Sequence, residues 1–187
     1  MPHDGAVDVP WLDRTQLAAW VRVAALLEVL PSTLDSQLRR DADVTLFEYF
    51  VLAMLSEAPG RGLRMSDLAA QTSATLPRLS HVVKRMESRG LVERRPDPDD
   101  RRATVAVLTD GGMARIEQAA PGHVRAVRAH VVDILTPEQL SQLTAIADAL
   151  LRHLDTSGGM AAMYRRYDDD DAADDADDPS SGNDIRA

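Results

Sequence analysis

Between Leu76 and Thr109 the chain changes its period. Residues 76–89, "LPRLSHVVKRMESR", place Leu79, Val82, Val83 and Met86 on one face of a 3.6-residue helix, with Arg78, His81, Lys84, Arg85 and Arg89 largely on other faces. After Gly90 the repeat shortens to two. "LVERR" reads as a strand, Pro-Asp-Pro-Asp as a turn, and "ATVAVLT" as a return strand with Val105 and Val107 on one face. Any fold for this chain has to hold a helix and a hairpin joined at one glycine.

The segment before it, "LRMSDLAAQTSA", adds a second short helix over about 67–71, with Ser66 in position to cap it. Pro77 falls in the first turn of the 76–89 helix, where its missing N–H costs nothing, and Gly90 falls just past the end. Helix, turn, helix and two-stranded hairpin form the winged helix-turn-helix pattern. Residues 41–109 are assigned to it. They include a helix over 45–57, apolar on most sides, with Thr45 and Glu48 spaced as a capping box.

Long helical segments flank this unit. Residues 12–40 carry a stripe through Leu12, Gln16, Ala19, Val23, Leu26, Leu27, Leu30, Leu34 and Leu38, which Pro31 is expected to kink or interrupt. Residues 110–134 carry another, with a kink expected at Pro121, and "TPEQ" at 136–139 starts a last helix that runs to about 154. Stripes so far apart in sequence imply interlocking of two copies, so 12–40 and 110–154 are read as dimerisation helices. The class is mostly α with a small β-hairpin wing. Residues 1–11 read as a flexible arm, and 155–187 as a disordered acidic tail with eight aspartates between 168 and 178.

The formal net charge of -9 argues at first against a nucleic-acid partner. From Asp168 onward, however, there are nine Asp and one Arg, while residues 61–102 hold ten Lys or Arg against six Asp or Glu. A local basic patch, not the whole-chain charge, is what nucleic acid requires. With no cysteine, thiolate metal sites, thiol nucleophiles and disulfides are excluded. The five histidines show no close ligand spacing, so neither a metal nor a cofactor is expected. No apolar run approaches the roughly 18 residues of a membrane span, and no secretory signal is evident, so a cytoplasmic protein without a membrane partner is expected. No phosphate loop, nucleophile elbow or pocketed carboxylate pair suggests an enzyme.

"LVERRPDPDDRRATVAVLTDGG", with "RMESRGLV" before it, resembles the MarR (multiple antibiotic resistance regulator) family of bacterial transcription factors. The family's wing has Asp, any residue and Arg, with that Arg seven residues before the Thr of "LT". Asp100, Arg101, Arg102, Leu108 and Thr109 fit this spacing. "EYFVLAMLSEAPGRGLRMSDLA" is similar to the family's second and third helices, and the likeness covers about residues 12–154. It implies a two-fold homodimer, with Arg102 entering the minor groove of double-stranded DNA and Asp100 holding its guanidinium. It also implies a small effector, often an aromatic anion, between the dimer helices and the winged unit.

An α-helix fits the major groove. The first half of the 76–89 helix therefore nominates Thr75, Pro77, Arg78, Ser80 and His81 for base edges, and Lys84 and Arg85 for phosphates. Arg94, Arg95 and Arg101 would touch phosphates or flank the wing. A solvated polar face remains the alternative for the helix, and an Asx-rich turn for the aspartates, favoured for Asp97 and Asp99. Trp20 and Tyr49 are candidate effector walls, with ordinary core as the alternative. The expected function is a homodimeric regulator, repressor in type, on a pseudo-palindromic operator. The rival is a winged-helix dimerisation or protein-interaction module with no DNA role. For the tail, plain solubility competes with a second idea, that it contends with DNA for the basic patch.

Overall fold

A computed structural model describes residues 9–165. Helix α1 (Arg14–Ala42) starts at a capping box between Asp13 and Gln16 and runs unbroken through Pro31. The expected interruption does not occur. Proline removes the bond to the carbonyl of Leu27, and that stretch of the helix is exposed, so water can satisfy the freed oxygen. Only the C-terminal part of α1 enters the core, through Leu34, Gln37, Leu38 and Ala42. Asp43 then ends the helix in the left-handed region, and the Arg115 guanidinium donates to the Ala42 carbonyl at 2.7 Å.

Helix α2 (Leu46–Glu57) forms on the expected Thr45–Glu48 box. A strand absent from the sequence reading follows: β1 (Gly62–Arg64). Then come α3 (Met65–Gln71), α4 (Leu76–Ser88), β2 (Val92–Pro96) and β3 (Thr104–Leu108). The sheet is antiparallel in the order β1-β3-β2, with Leu63 opposite Ala106 and Arg94 opposite Ala106 from the other side. The expected two-stranded wing is thus rooted on a third strand. Three residues, "GLR", are too few to show alternation. Ser66, expected as a cap, is inside α3, whose N-cap is Arg64.

Leu38, Val51, Leu52, Leu55, Leu68, Leu79, Val83 and Met86 are essentially inaccessible and form one core with Ala106 and Leu108 of the sheet. A fully buried side chain of this size contributes about 1.5–3 kcal/mol. At the far end of α4, Gly90 takes φ +68°, the Leu91 N–H bonds the Met86 carbonyl, and the Gly90 N–H bonds that of Glu87. This paired closure ends a helix cleanly where only glycine adopts the conformation without strain.

Helix α5 (Asp110–Val127) also passes through its proline, Pro121, for the same reason as α1. Its departure from regularity is a π turn over Arg128–Val132. Helix α6 (Pro137–Leu154) begins at the Thr136–Gln139 box and has no buried residue. Residues 155–165, expected to belong to the disordered tail, are folded: a turn and a short helix α7 (Ala161–Tyr164) pack on α3. The rest of that tail, 166–187, and the arm 1–8 lie outside the described residues.

The faces left uncovered are apolar. Trp11, Leu17, Trp20 and Leu27 on or near the first half of α1, with Ile134, Ile146, Leu150 and Leu154, are all about half exposed or more. Helix α1 also contains an 18-residue window of mean hydropathy 1.5, long and apolar enough to cross a membrane by length and composition alone. The expectation that no apolar stretch reaches this length does not hold for α1, where Arg22 and Glu28 divide the stretch without lowering its mean hydropathy enough to matter.

Candidate nucleic-acid interface

Helix α4 exposes Pro77, Arg78, His81, Lys84 and Arg85 on the side opposite its buried Leu79, Val83 and Met86. Thr75 is the N-cap, its hydroxyl accepting from the Arg78 N–H at 3.4 Å. The start of α4 therefore carries an exposed polar turn with Pro77 at its first positions. Ser80 is half-buried and lines a cleft of about 360 Å³ with Leu76, Arg64, Arg94, Arg102 and Thr104. This cleft lies between α4 and the wing.

The ten basic residues of 61–102 are not equivalent. Arg85, expected to be free for phosphate, turns inward to Glu48: Nη2 and Nε donate to Oε1 at 2.9 and 3.2 Å. Arg89 donates to the same oxygen at 3.3 Å. Glu48 is 2% exposed. Burial pushes its carboxyl up, but the Thr45 N–H and the Arg85 guanidinium outweigh burial and hold it below the usual range. Arg94, a second phosphate candidate, grips Glu87 at 2.7 and 3.1 Å, and this keeps Glu87 ionised to lower pH. Arg95 pairs with Glu93 and Arg61 with Asp110.

The expected contact between Asp100 and the Arg102 guanidinium is not formed. Asp100 Oδ1 accepts from the backbone N–H of Arg102 at 3.0 Å, which closes the wing tip. The aspartate that holds an arginine is Asp97, assigned from sequence to the turn alone. It is 5% exposed; Oδ2 accepts from Arg64 Nε at 2.6 Å, and Oδ1 accepts from the N–H groups of Asp99 and Asp100. The Arg64 guanidinium and the Asp99 N–H hold the Asp97 carboxyl below its ordinary range. Arg64 precedes α3 directly, so this pair ties the wing root to the helix-turn-helix.

Among the described residues, the side chains of Lys84, Arg101 and Arg102 have no ion-pair partner, and Arg78 lies only against the Phe47 ring at 4.7 Å. All four are exposed on α4 or the wing tip.

Thr109 links the two halves. Its hydroxyl donates to the Gly90 carbonyl at 2.6 Å and accepts from the Gly112 N–H at 3.0 Å. Gly112 approaches Leu91 so closely that a Cβ would stand 2.1 Å from the Leu91 carbonyl oxygen. The "LTDGG" sequence is therefore a joint between α4, the wing and α5.

Residues 42–103 match the MarR family. The HTH-type transcriptional repressor Rv2887 of Mycobacterium tuberculosis is 33% identical over 107 residues, 57% of this chain and 75% of the relative. The chain belongs to the MarR family. Two solved MarR-family regulators from Streptomyces coelicolor agree. Sco3205, solved in complex with DNA, is 41% identical with TM-score 0.75, over 77% of this chain and 94% of that one. AbsC is 38% identical with TM-score 0.75, over 78% and 98%. This MarR-family chain is thus a transcriptional regulator with the winged helix-turn-helix fold.

The effector candidates separate. Trp20 is 56% exposed on the uncovered half of α1, whereas Tyr49 packs on His123 with ring centroids 4.4 Å apart. Neither lines the cleft of about 420 Å³ between α1 and α2, whose walls are Pro31, Ser32, Asp35, Leu46, Phe47, Phe50 and Arg78. No cluster of three metal-ligating side chains occurs among the described residues.

Proposed function

We propose that this regulator represses transcription as a homodimer that binds a pseudo-palindromic double-stranded DNA site, with α4 in the major groove and Arg102 in the minor groove. The observation that carries the reading is the division of the basic residues of 61–102. Arg61, Arg64, Arg85, Arg89, Arg94 and Arg95 are tied to carboxylates, while Arg78, Lys84, Arg101 and Arg102 stand exposed without an ion-pair partner on one helix and one wing tip. Unpaired cations are the groups that displace counterions from phosphates. Support also comes from Sco3205, a relative solved with DNA, and from the repressor name of the Mycobacterium relative.

The homodimer is supported by the apolar faces of α1, α5 and α6, which a single chain leaves in water. A two-fold partner would set two α4 helices about one DNA turn apart, roughly 34 Å. An aromatic anion in the cleft beside Phe47 and Phe50 would sit against Arg78, one of the free cations, and so couple occupancy to DNA binding. The test is a salt titration on DNA from upstream of the protein's own gene. Affinity should fall with a log-log slope of about -0.9 per phosphate neutralised, and Lys84→Ala should flatten that slope by about one. No binding at low salt would overturn the reading in favour of a module without DNA.

A further inference from the structure

After α6 the chain does not leave the molecule. The Asp155 carboxylate gathers the next turn: Oδ2 accepts from the Met160 N–H at 3.0 Å and from the Tyr164 hydroxyl at 3.4 Å. Gly159 rests on α3 so tightly that a Cβ there would stand 3.1 Å from the Ala70 Cβ and 3.2 Å from its carbonyl oxygen. Met163 packs against the main core. Leu154 and Met160 share a cleft with Ser73, Ala74 and Thr75, and Thr75 is the cap of the recognition helix. The chain is therefore pinned to the reading head ten residues beyond the last dimerisation helix.

The sequence that follows is acidic. Residues 166–187 hold nine aspartates and two arginines, with eight of the aspartates between 168 and 178. Asp168 comes three residues after Arg165, so it starts within about 11 Å of that residue at full extension. The exposed cations without an ion-pair partner on α4 and the wing tip, Arg78, Lys84, Arg101 and Arg102, are of the opposite sign, and outnumber the similarly unpaired Asp67, Asp99 and Asp100. We propose that the aspartate run 168–178 docks on the cationic face of α4 and the wing and competes there with DNA phosphates, and that the 155–165 turn is the anchor that delivers it.

The proposal rests on that face being the DNA-binding face, but docking itself is independent of DNA. A segment tethered at its target has a local concentration in the millimolar range, so even a weak contact is substantially occupied. The contact is electrostatic and exposed, and salt screens it. Where both complexes expel the tail, it lowers binding to every DNA by one factor and leaves the preference between sequences unchanged.

One feature makes docking directly readable. Lys84 is the single lysine of the chain. Zero-length carbodiimide coupling of the full-length protein, without DNA, should join Lys84 to aspartates of 168–178 at low salt and lose those products at about 0.5 M salt. Their absence at low salt overturns the proposal. A full-length variant with those eight aspartates replaced by asparagine should bind DNA roughly 5- to 10-fold more tightly at low salt. Its salt dependence should be steeper, and the two proteins should converge at high salt. Equal affinity at low salt overturns the competition. If neither protein binds DNA, the functional reading fails and the coupling still decides docking. Gly159→Leu should loosen the anchor, reduce the coupling and shift affinity toward the asparagine variant, with helix content and dimer unchanged. Coupling and affinity at the parent level would overturn the anchor's role.

Discussion

Glu48→Gln tests the joint that fixes α4, the proposed recognition helix, to α2. The side chain of Glu48 is inaccessible and accepts from the Thr45 N–H at 2.8 Å, from Arg85 at 2.9 and 3.2 Å, and from Arg89 at 3.3 Å. Glutamine keeps the volume and one acceptor oxygen. It loses the charge on the arginine contacts, and its amide N–H groups oppose guanidinium N–H groups if they face that way. A hydrogen bond to a charged partner contributes about 1.5–3 kcal/mol. The Arg85 side chain is 50% exposed and that of Arg89 27%, so both can rehydrate, and Arg89 keeps Asp43. Discounted for that solvation, the net cost is about 1–2 kcal/mol. For a chain of this size that lowers Tm by roughly 2–8 °C. The assay is thermal or urea unfolding at one fixed protomer concentration, which holds any contribution of the proposed dimer constant. The pH dependence has a definite sign. The folded-state pKa of Glu48 is held below its usual 4.5, so its stabilisation is complete above that value and is lost as pH falls through the lower folded value. The gap between parent and variant should therefore be full at neutral pH and narrow below about pH 4.5. A double-mutant cycle with Arg85→Ala should show coupling near 1 kcal/mol. No gap at pH 7, a gap that fails to narrow in acid, or zero coupling would refute the reasoning.

Arg102→Ala should weaken DNA binding roughly 10- to 100-fold, from about 1–3 kcal/mol of lost contact, with Tm unchanged because its guanidinium has no protein partner. Calorimetry that shows a large loss of stability instead would make Arg102 structural. Asp97→Ala should cost more DNA affinity than Asp100→Ala, since only Asp97 holds Arg64 and the two turn N–H groups; the reverse ranking in a binding assay would return the aiming role to Asp100. Leu150→Glu should dissociate the proposed dimer at micromolar concentration in sedimentation velocity, while the winged unit keeps its helix content; an unchanged sedimentation coefficient would refute a two-fold contact through α6.

Local chemistry was readable before any coordinates. The capping boxes at Thr45 and Thr136, the proline at the start of α4 and Gly90 at its end all act within a few residues, and each formed where its spacing placed it. Prolines 31 and 121 misled because a helix break depends on whether the freed carbonyl can reach water, and burial is not local information. The same limit governs the arginines. Arg85 finds Glu48 across 37 residues and Arg64 finds Asp97 across 33, so no window along the chain shows that either is occupied. Asp97 and Asp100 look alike in "PDPDDRR", yet one is 5% exposed and the other exposed, because the hairpin folds Asp97 back toward the root on β1, the strand too short to be seen in advance. Charge density along the sequence thus overstates how many cations a surface leaves unpaired. Of ten basic residues, six are paired with carboxylates and four have no ion-pair partner among the described residues. On the proposed reading, removing Arg64, Arg85 or Arg89, whose carboxylate partners are buried, should change stability along with DNA affinity, whereas removing one of the four should change affinity alone, and that separation is what a charge count cannot supply.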